Sequence, residues 1–165
     1  MDGRAIVAAT HDVGLAAWFG GAWMGALALN GATIEVDDHT QRVRVANAGW
    51  FAWAPVAVTG ITAHLASALW LGRLAPRFWR RGTPGLVVTR TALTAAALLA
   101  TAGTGVAGRR VMLAGDVPVA TAVRSISATP PEVARAQARL RIEQWAVPAL
   151  TGLLWVVNAV QERRA

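Results

Sequence analysis

The chain has 165 residues, 55% of them apolar before its 16 glycines are counted, and only 15% charged. That balance is too apolar for an ordinary soluble domain, in which about a quarter of residues are charged, and the length suits a single domain over residues 1–165. The absence of cysteine excludes disulfides, Fe–S clusters, thiolate zinc sites and cysteine nucleophiles. A formal net charge of +7 would suit a nucleic-acid binder, but the arginines stand at the ends of long apolar runs and no nucleic-acid-binding motif accompanies them. The expected partner is the lipid bilayer, with no nucleic acid.

A bilayer core of about 30 Å takes about 20 mostly apolar residues in helical form. In chain order, the stretches that qualify are Ala5–Leu29, Trp50–Gly72, Gly85–Ala107 and a final span over about 142–161. The first has Arg4 ahead of its apolar run, as a secretory signal does. His11 and Asp12 interrupt it, and it exceeds the roughly 7–15 apolar residues of a signal h-region, so it reads as a permanent span. Its Ala17, Gly21 and Gly25 form a ladder of small residues, matched by Ala92, Ala96 and Ala100 on the third span. Such faces let another helix backbone approach closely, within the chain, in a protein partner or in a second copy.

The first connection places Thr33-Ile34-Glu35-Val36 and Gln41-Arg42-Val43-Arg44-Val45 on either side of Asp37-Asp38-His39-Thr40. Alternation flanking a polar turn predicts a β-hairpin over about 32–46. Glu35, Asp37, Asp38 and His39 read as its solvated turn, since their spacing matches no calcium loop. The third connection, with Val117-Pro118-Val119, is expected to supply an edge strand or cover the hairpin on the same face. Ahead of the last span, Thr129-Pro130-Pro131-Glu132 reads as a capping box opening a longer helix, and Pro148 as a kink.

The predicted fold is therefore an all-α membrane protein, with four transmembrane helices in an up-down bundle and a small β-hairpin cap in the first connection. Arg73, Arg77, Arg80 and Arg81 around the second connection, with Arg4, Arg163 and Arg164 in the tails, place both termini in the cytoplasm and the chain in the cell membrane. Trp50, Trp53, Trp70, Trp79 and Trp145 stand at span ends, where an interfacial aromatic belt is expected.

Ionisable residues inside a span are costly and point to function. Here they are His11, Asp12, His64 and Arg90. At 1.5 Å of rise per residue, His11 and Asp12 lie about 10 Å, His64 about 12 Å and Arg90 about 8 Å from the face that carries the N-terminus. One shared level defines a candidate polar intramembrane site, with Asp12 and Arg90 able to neutralise each other. Two histidines at one depth on adjacent helices also suit axial ligation of haem b, which makes His11 and His64 the candidate cofactor ligands. No other cofactor and no bound metal is expected. No Walker loop, GxSxG, HExxH or kinase signature occurs, and Ser67, Ser125 and Ser127 belong to no nucleophile motif. The expected function is non-enzymatic: an accessory or scaffold subunit of a membrane complex, or alternatively a protein handling haem, a metal or a solute at the His11/Asp12/His64/Arg90 level.

The segment His11-Asp12-Val13-Gly14-Leu15-Ala16-Ala17-Trp18-Phe19-Gly20-Gly21 resembles the start of TMEM205-like proteins and CopD-like copper-resistance domains. In these a histidine heads a span that contains an aromatic-Gly-Gly turn. The resemblance implies a small integral membrane protein with a polar or metal-related intramembrane site, and it carries over His11 alone. It covers little beyond the first span, and the chain departs from it in having three methionines and no methionine-rich copper motif. The arginine- and alanine-rich style and the stretch Gln144-Trp145-Ala146-Val147-Pro148-Ala149-Leu150-Thr151-Gly152 are similar to small actinobacterial membrane proteins.

Overall fold

The computed structural model describes residues 2–74 and 84–162. Arg77, Trp79, Arg80, Arg81, Arg163 and Arg164, on which part of the orientation and belt expectations rest, lie outside the described residues. The long helices are α1 (Gly3–Met24), α2 (Arg42–Leu74), α3 (Pro84–Leu113) and α4 (Pro131–Glu162), and the third connection holds the strands β1 (Val119–Thr121) and β2 (Arg124–Ser125). The all-α expectation holds in this respect. Three of these stretches are long and apolar enough to cross a membrane: Gly3–Glu35, Arg42–Arg73 and Pro84–Leu113. The expected fourth span falls in the second half of α4, but α4 is not among them. Its first half carries Arg135, Arg139, Arg141 and Glu143 and its second half carries Asn158.

The expected hairpin over 32–46 is absent. Thr33–Glu35 forms a 3-10 turn, and Arg42 to Val45 are the opening residues of α2. Val43, Ala46, Asn47 and Trp50 repeat at helical spacing, and their packing into the interior outweighs the short Arg-Val alternation. The two-stranded antiparallel sheet lies instead in the third connection, where Val119 pairs with Ser125 and Thr121 with Arg124. Thr129 does not form the expected capping box. Its hydroxyl donates to the Pro118 carbonyl at 2.6 Å and accepts from the Ile126 N–H at 2.9 Å, which fastens the sheet to the start of α4.

Helices α1 and α2 run antiparallel in close contact. A Cβ on Gly14 would meet the Gly60 carbonyl oxygen at 2.5 Å and the His64 nitrogen at 2.7 Å, so only glycine allows the crossing. Further along, Gly21 lies under the Trp53 ring and Gly25 under Trp50. The small-residue ladder of α1 is thus occupied by this chain's own α2. Beyond Met24 the helix widens into a π-helical turn over Gly25–Leu29, and Asn30 follows in a buried position. The Asn30 amide donates to Gln144 Oε1 on α4 at 3.0 Å, and its oxygen accepts from the Trp50 indole on α2 at 3.0 Å.

α4 packs along α3 and against α1, while α2 and α3 touch little. Leu15, Trp18, Ala97, Val147 and Leu154 form the core where α1, α3 and α4 meet. The Trp18 indole donates to Thr101 Oγ1 at 3.0 Å across the α1–α3 contact. A second cluster, Val43, Val111, Val119, Val133 and Ala136, seals the end where the first and third connections meet. There the Arg42 guanidinium, 8% exposed, donates to the carbonyls of Val36 at 2.8 Å, Ala120 at 2.5 Å and Ile34 at 3.1 Å. Gln137, on α4, donates to the carbonyls of Thr121 and Ala122, both at 3.1 Å, and Thr33 Oγ1 accepts from the Ala122 N–H at 3.0 Å. The two connections therefore share one cap, as the sequence predicted, although without the hairpin.

Candidate functional site

The in-span ionisable residues fall at the opposite end of the helices from the cap. The close crossing at Gly14 and Gly60 brings His64 of α2 against the first half of α1. The imidazoles of His11 and His64 stack with centroids 4.2 Å apart and planes inclined by 34°. Both residues are buried, at 4% and 2% exposure. His64 Nδ1 lies 3.2 Å from the His11 backbone oxygen, a bond in which the nitrogen must donate. His11 Nδ1 lies 3.0 Å from Asp12 Oδ1, and an ionised carboxylate can only accept. These partners make Nδ1 the protonated nitrogen of each neutral ring. Trp18 closes the cluster edge-on to His64, with centroids 6.3 Å apart.

Of the predicted residues, His11, Asp12 and His64 are in direct contact. Asp12, 53% exposed at its side chain, accepts a hydrogen bond from His11 Nδ1 at 3.0 Å. Arg90 is buried at 8% exposure near the start of α3, and His64 lies within electrostatic range of His11, Asp12 and Arg90. The structure brings His11, Asp12 and His64 into contact, and no direct contact of Arg90 with these three is seen among the described residues.

Asn158 was missed, because the reading of the spans considered ionisable groups alone. It is 8% exposed on α4, and neither its amide nitrogen nor its amide oxygen has a hydrogen-bond partner. It lies about 6 Å from the end of α4, while Arg90 lies about 9 Å from the start of α3. The two helices run antiparallel, with Gly103 against Glu143, so Asn158 belongs to the same level. An asparagine inside an otherwise apolar run was the available signal.

The fit of haem b to His11 and His64 depends on a slot between the rings, because axial imidazoles must face each other across the porphyrin plane. In this conformation the rings stack directly. Among the described residues no group of three or more His, Asp or Glu is arranged to hold a metal ion. In the first connection, Asp38 binds its own turn. It accepts from the Thr40 N–H at 2.8 Å, the Thr40 hydroxyl at 2.6 Å and the Gln41 amide at 3.1 Å. Donation from the Thr40 hydroxyl, before the other contacts, holds its carboxyl below the ordinary value of 3.8.

The fold and this site define a mostly helical protein with three segments long and apolar enough to cross a membrane and a cluster of polar side chains on them. Compared with known proteins, the chain matches no family model, no curated protein and no solved structure.

Proposed function

We propose that the chain is a non-enzymatic, multi-pass protein of the cell membrane, with four helices crossing in an up-down bundle and both termini cytoplasmic. In this reading its polar level handles protons as the small solute. The observation that carries it is the stacked and buried His11–His64 pair, two ionisable rings in direct contact inside the helices with the Asp12 carboxylate on His11. Asp12 links the pair to a more exposed carboxylate, so the three groups form a short series from the helix surface to the interior. Two ionisable rings in contact take up protons as a unit rather than as separate sites. The α1 ladder packs on Trp50 and Trp53 of this chain, which leaves the Ala92, Ala96 and Ala100 face of α3 for the accessory-subunit reading.

Proton uptake by the purified protein in lipid nanodiscs, followed with an indicator dye after a pH jump, tests the reading. The wild type is expected to take up protons that the doubly substituted His11→Gln/His64→Gln protein does not. If the two proteins take up equal amounts and the substitutions only lower yield, the pair is structural and the accessory-subunit reading stands in its place. An absorbance spectrum of the same preparation, made from haem-replete cells, decides the haem alternative: a Soret band that disappears with His64→Gln would show that the rings part to bind it.

A further inference from the structure

Little contact between α2 and α3 leaves a groove between them, with a cavity volume of about 540 Å³. Its walls are apolar over most of their length. At the cap end it is lined by Asn47 and Arg109, and toward the middle of the helices by Ala57, Val58, Ile61 and Trp18. From Asn47 to Ile61 it runs about 21 Å along α2, which exceeds the roughly 15 Å depth of hydrocarbon in one leaflet. Arg109 is exposed and makes no hydrogen bond or ion pair among the described residues. It lies about 6 Å from the end of α3, the depth of lipid headgroups on a helix longer than the bilayer core. A shallower pocket adjoins the groove at Asn47, and it is lined by Arg44 and by the single acid Asp116.

From these features we infer that the groove holds one anionic glycerophospholipid of the surrounding bilayer, with an acyl chain between α2 and α3 and its phosphate beside Arg109 and Arg44. Size selects this occupant over a partner helix. A cavity of 540 Å³ is in the range of small-ligand pockets, about 300–1,000 Å³, whereas a spanning helix about 10 Å across and about 30 Å long needs several times that volume. Charge selects the headgroup: Arg109 on the groove wall has no acid partner among the described residues, while Arg44 of the adjoining pocket is shared with Asp116 and Asp38. An apolar interior ending at a cation is complementary to an amphiphile whose polar end is an anion.

Native mass spectrometry of the protein released from nanodiscs of equal phosphatidylglycerol and phosphatidylcholine tests the assignment by counting retained lipids. The wild type is expected to keep one phosphatidylglycerol in preference to phosphatidylcholine. Arg109→Gln should reduce that preference about fivefold, the effect of one basic side chain near an anionic headgroup. Ala57→Phe, which fills the apolar part, should lower retention of both lipids. Arg109 is exposed, so its substitution keeps the test decisive even if the Ala57 variant fails to fold. Equal retention of the two lipids by the wild type, an unchanged preference in Arg109→Gln, or a protein chain retained in place of lipid would overturn the assignment.

Discussion

The two ends of the helices bury polar groups in different ways. At the cap, Arg42 and Gln137 donate to backbone carbonyls of the first and third connections, Arg42 bridging Val36 and Ile34 to the distant Ala120, and so act as fasteners. At the other end, the rings of His11 and His64 lie against each other, and Asn158 has two unpartnered amide atoms. Both ends bond buried side chains to backbone, His64 to the His11 carbonyl included, but only the histidine end sets two ionisable rings against each other, and that is the difference on which the proposed proton role rests. Substitutions at the cap should therefore act on stability, and substitutions at the histidine level on proton binding.

The largest effect on stability is expected at Arg42. Arg42→Ala leaves three carbonyls without their charged donor, and a loss of about 3 kcal/mol or more in detergent unfolding is expected. Arg42→Lys should recover only part, because an ammonium cannot reproduce the planar fork. Next comes the α1–α2 crossing, where Gly14→Ala places a Cβ against Gly60. About 1–3 kcal/mol of overpacking is expected, together with displacement of His64, which a histidine NMR spectrum would show. Gly20→Ala, where a Cβ meets nothing within 4 Å, serves as the control and should stay within about 0.5 kcal/mol. Trp18→Phe removes the donor to Thr101 and should cost about 1 kcal/mol in the same unfolding assay.

The smallest effect belongs to Asp38 and is a pH dependence. Its folded carboxyl is held below the ordinary value of 3.8, so its contribution is fully present above that value. It is lost as pH falls through the lower folded value. Melting curves of wild type and Asp38→Asn should therefore converge below pH 3.8 and separate above it. A constant separation over the whole range would remove Asp38 from the account.

What was legible in the sequence followed from composition over long windows. Three of the four expected apolar spans needed only hydropathy, and the folded chain contains them; the contact of His11 with His64 lies among residues that helix rise put at similar depth. Short windows failed. Arg42-Val43-Arg44-Val45 alternates like a strand, yet it opens a helix of 33 residues, because nothing local in four residues reveals the tertiary contacts of Val43 and Arg42. Gly49 lies inside α2, where a Cβ would meet the Leu29 side chain at 2.5 Å. Helix rotation was equally hidden. Depth alone did not say that His11 would stack on His64, or that Asp12 would pair with its neighbour His11 rather than with Arg90.

The central claim, that His11 and His64 bind protons as one unit, is tested most directly by a pH titration of their imidazole signals. Nitrogen-15 NMR on the protein in nanodiscs, with His39→Gln to remove the remaining histidine, isolates the pair. The account predicts that each ring responds in two steps shared by both, and that His64→Gln leaves His11 with a single step. Two independent one-step curves, unchanged for His11 when His64 is replaced, would contradict it.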